Sequence, residues 1–216
     1  GLETTTCSKV LLPLESAHTV LISGTTGSGK STLLRTTAVQ CVSEAKCILV
    51  DSGTHGLAAI NNIAEYYCDN ARDFDAYMGQ LVVELERRRK LVQEGLYEDF
   101  EGIFLIIDDY YSLFREADNK TIERLEAVIR LGKNLKVYII AAANNGDIAK
   151  LYNQGEEVVV GLVNQKNVII IGGSPNDHSI FSIELPYTEK SRRLNKNEGF
   201  LLDQSNLVKF RMIDDN

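Results

Sequence analysis

Residues 24–31 have the spacing of a phosphate-binding loop. They read Gly-Thr-Thr-Gly-Ser-Gly-Lys-Ser, which is the pattern G-x-x-x-x-G-K-S. Glycine allows the backbone to take positive φ, so successive N–H groups can converge on an anion. We expect Lys30 to supply a charge for the β- and γ-phosphates of ATP, and the Ser31 hydroxyl to bind Mg²⁺. The residues predicted to bind the nucleotide are Gly24, Thr25, Thr26, Gly27, Ser28, Gly29, Lys30, Ser31 and Thr32.

Asp108 is the second candidate for the metal site. It ends the run Phe104-Leu-Ile-Ile-Asp108, which predicts a buried strand closed by a carboxylate. In a nucleotide site built on such a loop, this carboxylate holds Mg²⁺ through water. The alternative, that two acids simply close a strand, stays open for Asp108 and Asp109.

Asp109 is the candidate catalytic residue. It stands where many ATPases carry a glutamate that polarises the attacking water. Aspartate is shorter by one methylene, which retracts the carboxylate by about 1.5 Å. A displacement of about an ångström can lower a rate on the order of a hundredfold. We therefore expect Asp109 to be a poor base.

Asn144 is the candidate sensor of the γ-phosphate. The strand predicted before it ends in three alanines, 141–143, whose side chains cannot form hydrogen bonds. Asn144 is therefore the nearest polar side chain at that strand end. The alternative is a turn, which Asn145-Gly146 would suit.

Alternating strand-like and helical runs predict the elements that position these residues. Strands are predicted at 18–23, 46–51, 103–107 and 136–143, and helices at 30–42, 71–95 and 121–132. This order is typical of an α/β domain with a largely parallel sheet.

The last third of the chain has a different sequence pattern. Short apolar runs separated by Asn, Gly, Pro and Asp predict hairpins or antiparallel strands on the sheet edge. These runs are 158–163, 168–171, 181–185, 199–202 and 208–212. We expect them to belong to the same domain, which would then span residues 1–216.

The composition limits the partners of this domain. The chain has 216 residues, 44% of them apolar, and a formal net charge of −7, which disfavours a surface that grips nucleic acid throughout. Basic clusters at 87–90 and 190–196 keep a local patch possible, although each also suits a solvated surface. The four cysteines form no C-x-x-C pair, so we expect neither a disulfide framework nor a zinc site. The longest apolar stretch, 137–143, is too short to cross a bilayer.

In their order along the chain, these motifs resemble the FtsK/SpoIIIE ATPase domain. The resemblance rests on the loop at 24–31, the helical segment 84–91 (Glu-Leu-Glu-Arg-Arg-Arg-Lys-Leu) and the strand that ends at Asp108, and it covers about residues 5–213. It implies a RecA-like P-loop NTPase fold, assembly in rings or tandem arrays, and the use of ATP to move DNA or protein.

Within this family the chain is most similar to type VII secretion ATPases of the EssC/YukB kind, particularly to a C-terminal ATPase domain. Segments 50–57, 197–202 and 208–212 carry this likeness. It implies a longer membrane protein with several such domains on the cytoplasmic side of the cell membrane, and Gly1 in place of Met fits a fragment. The implied partners are sister ATPase domains or subunits of a homo-oligomer, and a small secreted substrate of the WXG100 type.

Departures from the family pattern bear on activity. DNA-moving members usually have Asp-Glu where this chain has Asp108-Asp109, and Thr-Gln-Arg-Pro where it has residues 142–145. We therefore predict an ATP-binding domain of a secretion motor that hydrolyses ATP weakly or not at all and acts in ring assembly or substrate recruitment. The alternatives are a DNA-translocating motor, which the acidic balance disfavours, and a non-hydrolysing nucleotide sensor.

An arginine from a neighbouring subunit often completes such a site. Its candidates are Arg72, Arg87, Arg88, Arg115 and Arg192.

Overall fold

The computed structural model describes residues 1–12, 14, 17–96, 99–204 and 206–212. The end of the predicted domain, 213–216, lies outside the described residues. The strands are β1 Leu2–Glu3, β2 Thr19–Gly24, β3 Ala45–Val50, β4 Tyr66–Cys68, β5 Gly102–Ile107, β6 Val137–Asn144, β7 Asn167–Ile171, β8 Glu198–Asp203 and β9 Asn206–Arg211. The α-helices are α1 Lys30–Cys41, α2 Ala71–Gln93, α3 Tyr110–Glu116, α4 Asn119–Leu131, α5 Asn145–Asn153, α6 Glu157–Asn164 and α7 Tyr187–Lys190. Short 3-10 turns occupy Ala58–Ile63, Gly132–Leu135 and Pro175–His178.

In the described part of the chain the strands form one nine-stranded sheet in the order β1-β9-β8-β7-β2-β6-β5-β3-β4. The run from β7 to β4 is parallel, whereas β8, β9 and β1 are antiparallel at one edge. The predicted α/β class, with a largely parallel sheet and antiparallel edge strands, is confirmed. Since parallel strands end at the same side of a sheet, the carboxyl ends of β2, β3, β5, β6 and β7 lie together.

Helices cover both faces of this sheet. α1 packs on one face through Leu34, Ala38 and Cys41. The other face is covered by α2, α4 and α6, whose inward residues share a core with β5 and β6. Both strands are apolar and almost entirely buried, as strands covered on both faces must be. The sheet therefore holds the ends of β5 and β6 rigidly beside the P-loop.

Two strand predictions in the last third are wrong. Residues 158–163 lie in helix α6, because Glu156 accepts hydrogen bonds from the N–H groups of Val158 (3.2 Å) and Val159 (2.8 Å) and so caps a helix. Packing against α4 then overrides the strand preference of the valines. Residues 181–185 form no strand: Phe181 and Ile183 are buried in the core without pairing in the sheet. The remaining runs of this region are β7, β8 and β9.

No helix in the described ranges combines the length and apolar character needed to cross a membrane.

Candidate nucleotide site

The predicted P-loop joins strand β2 to helix α1. Gly27 and Gly29 take φ of 74° and 97°, a region that side chains with a Cβ rarely adopt. Gly29 precedes the first turn of α1, and no side chain in the described part of the protein caps that turn. The free N–H groups and the positive end of the helix dipole therefore face the loop, an arrangement that favours an anion.

Lys30 folds back over the loop. Its Nζ donates to the carbonyl oxygens of Thr25 (3.0 Å) and Gly24 (3.3 Å) and to Asn144 Oδ1 (2.8 Å). Burial lowers the pKa of Lys30, and the carboxylates of Asp108, Asp109 and Asp147 oppose that shift. The ammonium group is thus held where a phosphate would lie, by acceptors that a phosphate can replace.

Ser31 and Asp108 meet at the other side of the loop. Ser31 Oγ donates a 2.6 Å hydrogen bond to Asp108 Oδ2. Asp108 follows β5, and its side chain is buried, which raises its pKa; the Ser31 hydroxyl opposes the rise. A hydroxyl and a carboxylate are oxygen ligands of the kind that Mg²⁺ takes together with water and phosphate.

Asn144 ends β6, the strand between β2 and β5, and lies in register with Gly24. Its amide accepts from Lys30 and donates to Asp147 Oδ2 at 3.3 Å. The structure therefore places the predicted sensor against the P-loop lysine. The alternative of a turn at Asn145-Gly146 is wrong, because these residues form the first turn of α5.

Asp109 is held by contacts with residues outside the loop. It takes the left-handed conformation (φ 52°) at the start of α3, and its Oδ2 accepts a 2.6 Å hydrogen bond from Ser112 Oγ. A Cβ placed on Gly53 would lie 2.5 Å from the same oxygen, so the carboxylate packs against that backbone. Among the described residues no hydrogen bond joins Asp109 to Lys30 or Ser31.

Sequence reasoning missed a loop that lies against the predicted metal residues. In residues 51–57, a Cβ on Gly56 would lie 2.6 Å from Asp108 Oδ2 and 2.7 Å from Ser31 Oγ. Arg35 donates to the Gly56 carbonyl at 2.9 Å. The buried Asp51 closes the loop by accepting from the Leu57 N–H at 2.8 Å. The sequence signals were the two glycines of this segment and its place in the family likeness, neither of which indicated a position at the metal residues.

Sequence reasoning also missed a turn behind the P-loop. Ser23, the residue before the loop, is bonded to Nδ1 of the buried His178 at 2.7 Å, and His178 Nε2 lies 3.1 Å from the Gly172 carbonyl. Since a carbonyl only accepts, Nε2 carries a proton, and in the neutral imidazole Nδ1 therefore accepts from the Ser23 hydroxyl. Burial lowers the pKa of His178. A Cβ on Gly172 would lie 2.5 Å from the Cβ of Ser28, so this glycine allows the turn to support the loop. The pair Gly172-Gly173 after an apolar run was the available signal.

A comparison with models of known protein families identifies the family of this chain. The FtsK/SpoIIIE model matches residues 6–151, more than half of the chain, and includes the P-loop, Asp108 and Asn144. The chain belongs to the FtsK/SpoIIIE family. No curated protein matches it significantly in sequence.

Solved structures similar to this FtsK/SpoIIIE domain include two type VII secretion ATPases. EssC from Geobacillus thermodenitrificans (ATPases 2 and 3) superposes with a TM-score of 0.85 at 17% identity, over 98% of this chain and 40% of that one. Thermomonospora curvata EccC (ATPases 2 and 3), in complex with a signal sequence peptide, superposes with a TM-score of 0.77 at 16% identity. That match covers 98% of this chain and 39% of EccC. The chain thus spans about two fifths of these relatives. The pCW3 conjugation coupling protein TcpA, solved with ATPγS, superposes with a TM-score of 0.75 at 18% identity. That match covers 97% of this chain and 64% of TcpA.

The candidate arginines of this FtsK/SpoIIIE domain differ in what they contact. Arg88 is buried, where it bonds Glu84 Oε1 at 2.8 Å and the Leu135 carbonyl at 2.7 Å, so it cannot reach a neighbouring subunit. Arg87 pairs with the same glutamate. Arg72, Arg115 and Arg192 are exposed and remain candidates. Arg35, which was not predicted, lies near the P-loop and donates to Thr32 Oγ1 at 3.1 Å.

Proposed function

We propose that this domain binds Mg·ATP and serves as an ATP-binding domain of a type VII protein-secretion motor. The observation that carries the nucleotide part is the convergence of Lys30, Ser31, Asp108 and Asn144 on one loop at a helix N-terminus. These residues come from two strand ends and a helix, and their donors and acceptors match a triphosphate and its metal.

In this proposal each group has a definite role. The N–H groups of residues 24–32 bind the phosphate oxygens, and Lys30 exchanges its present acceptors for β- and γ-phosphate oxygens. Ser31 coordinates Mg²⁺ directly, while Asp108 holds it through water. The metal would supply charge neutralisation between the phosphates. Asn144, already bonded to Lys30, lies where a change at the γ-phosphate would alter its hydrogen bond.

Weak or absent hydrolysis follows from the position of Asp109. A general base must come within hydrogen-bond reach of the attacking water. Asp109 is one methylene short of a glutamate, bonded to Ser112 and packed on Gly53. The strand that would supply further polar groups ends in alanines 141–143. Binding of ATP, rather than its turnover, would then control ring assembly or substrate recruitment.

The secretion assignment is supported by the neighbours and by charge. EssC and EccC are secretion ATPases, one of them bound to a signal sequence peptide, and another EccC structure is a cytoplasmic domain. By analogy, the partners are sister ATPase domains of a homo-oligomer and a WXG100-type substrate, on the cytoplasmic side of a membrane. TcpA, a conjugation coupling protein, supports the alternative of a DNA motor. The net charge of −7 weighs against DNA.

One titration separates these functions. The domain is titrated with Mg·ATP, and then, with ATP present, with a WXG100-type protein and with duplex DNA at several salt concentrations. We expect ATP to bind, the protein to bind modestly and DNA not to bind at physiological salt. Micromolar DNA binding with a steep salt dependence, and no response to the protein, would favour the DNA motor.

A further inference from the structure

The segment that follows β3, residues 51–57, forms a wall of the proposed metal site. A Cβ on Gly56 would lie 2.6 Å from Asp108 Oδ2 and 2.7 Å from Ser31 Oγ, and real Cβ atoms essentially never come within 3.0 Å of another atom. Thr54 Oγ1 lies 3.5 Å from the same carboxylate oxygen. The Gly56 backbone therefore packs directly on both predicted metal residues, and this segment limits the space around them.

Both ends of segment 51–57 are fixed in the core. Asp51 is fully buried, and its Oδ2 accepts hydrogen bonds from the Leu57 N–H at 2.8 Å and from the Tyr67 hydroxyl at 3.1 Å. The Asp51 N–H donates to the Cys68 carbonyl at 2.8 Å. Leu57 is also fully buried, in the core on the α1 face of the sheet. The Asp51 carboxylate thus ties the last residue of the segment to the first.

Arg35 holds the middle of the segment from α1. Its Nη1 donates to the Gly56 carbonyl at 2.9 Å, and its Nη2 donates to Thr32 Oγ1 at 3.1 Å. The guanidinium therefore links Gly56 to the helical turn that carries Ser31. The preceding residue, His55, has a φ of 51°, which costs free energy for a residue with a Cβ. Such backbone persists only where surrounding contacts hold it, and it is concentrated at functional sites.

A fixed wall this close to the metal residues affects which divalent cation can bind. Mg²⁺ takes an octahedral shell of oxygens at about 2.0–2.1 Å, whereas Ca²⁺ takes roughly six to eight oxygens at about 2.3–2.6 Å. Selectivity between the two ions depends on the size and flexibility of the site. At Gly56 there is no space even for a methyl group beside Asp108. A small and rigid site of this kind favours the Mg²⁺ shell.

We propose that segment 51–57 makes the metal site selective for Mg²⁺ over Ca²⁺, which rests on the proposed nucleotide function. Gly56 is the residue that determines this selectivity, because a side chain at that position would displace both Ser31 and Asp108. Arg35 is a positioning residue, which acts through the Gly56 carbonyl. Without Arg35, the backbone at Gly56 can move outward and leave space for a larger shell.

Titration calorimetry of ATP with Mg²⁺, with Ca²⁺ and with EDTA tests this proposal. Gly56→Ala should lower the ratio of ATP affinities in Mg²⁺ and in EDTA about ten- to a hundredfold, as for the loss of a group that supports a metal ligand. Its ATP affinity in EDTA should stay unchanged. Arg35→Ala should lower the ratio of affinities in Mg²⁺ and in Ca²⁺ about tenfold. The matched controls, Gly79→Ala and Arg89→Ala on α2, should keep both ratios.

Hydrogen exchange gives a second readout, which needs no variant. With ATP present, Mg²⁺ should slow amide exchange in residues 51–57 of the unsubstituted protein more than Ca²⁺ does. If Gly56→Ala does not fold, Arg35→Ala and this exchange measurement decide the question.

Three results would overturn the role of segment 51–57. These are equal ATP affinities of the unsubstituted protein in Mg²⁺ and Ca²⁺, equal protection of the segment by both ions, and parental affinity ratios in the folded variants. Failure of the unsubstituted protein to bind ATP, or binding that is the same in Mg²⁺ and in EDTA, would instead overturn the proposed Mg·ATP function itself.

Discussion

Lys30 has hydrogen-bond partners before any phosphate is present. Two backbone carbonyls and the Asn144 amide hold its Nζ, while burial lowers its pKa. A phosphate would offer charged acceptors, and hydrogen bonds between charged groups are roughly twice as strong as neutral ones. Affinity for a triphosphate should therefore depend strongly on this one side chain.

Lys30→Ala should weaken ATP binding about ten- to a hundredfold, because losing a hydrogen bond to a charged group costs roughly 1.5–3 kcal/mol. Titration calorimetry measures the affinity, and the circular dichroism spectrum should stay unchanged. Lys120→Ala, at an exposed position of α4, is the matched control and should bind like the parent protein. If a folded Lys30→Ala protein bound ATP as tightly as the parent protein, the P-loop assignment would be wrong.

Turnover by the domain alone should fall well below the ~1–10³ s⁻¹ of ordinary enzymes. The reason lies in the contacts of Asp109, which is held by Ser112 at the start of α3. Asp109→Glu should bring no gain, because glutamate tolerates the left-handed backbone of this position less well. Phosphate release at saturating Mg·ATP measures this rate. Turnover of tens per second by the unsubstituted domain would contradict it.

Among the elements, the central strands decide where these side chains meet. β6 lies between β2 and β5, so Asn144 and Asp108 both end beside the loop that follows β2. The turn after β7 supports the loop from behind through His178 and Gly172. The stability of this turn should depend on pH, because the His178 imidazole is buried and hydrogen-bonded in its neutral form.

Acidification should therefore destabilise this turn. The pKa of His178 is lowered by burial and by Lys30, against the raising effects of the Gly172 carbonyl and Asp177. Below the unfolded pKa of about 6.5, the unfolded chain binds the proton more readily, so the free energy of unfolding falls as pH decreases towards the folded pKa.

The comparison uses His178→Gln, which carries an uncharged amide at every pH. Urea unfolding at pH 7.5, 6.5 and 5.5 should show a shallower pH dependence in the variant. His18, whose pKa is also lowered by burial, is present in both proteins, so its contribution cancels. Parallel pH profiles would show that His178 does not carry this dependence.

At the scale of the whole molecule, binding of a ligand to the folded state should raise thermal stability. At a free concentration of one hundred times Kd, a ligand adds about 2.7 kcal/mol to the free energy of unfolding. For a domain of this size that corresponds to a Tm increase of about 5–10 °C. Differential scanning calorimetry with and without Mg·ATP measures this increase in Tm. The same increase in Lys30→Ala would mean that ATP binds elsewhere.

The sequence alone determined the features that depend on residues close together in the chain. Glycine spacing and the apolar strand before it were enough to predict the P-loop, and an apolar run ending in Asp108 was enough to predict a buried strand and its acid. The order of strands and helices predicted the parallel sheet. These features follow from backbone freedom and hydrophobic periodicity, which a short window of sequence contains.

Only the tertiary structure decided which distant groups meet. The contacts of Lys30 with Asn144 and of Ser23 with His178 join residues far apart in the chain, and their formation depends on strand order. Residues 158–163 became a helix because Glu156 caps them and α4 packs on them, although valines favour strands. The packing of Asp109 against Gly53 likewise required the fold. Side-chain geometry at this site is set by long-range packing, which local sequence patterns do not encode.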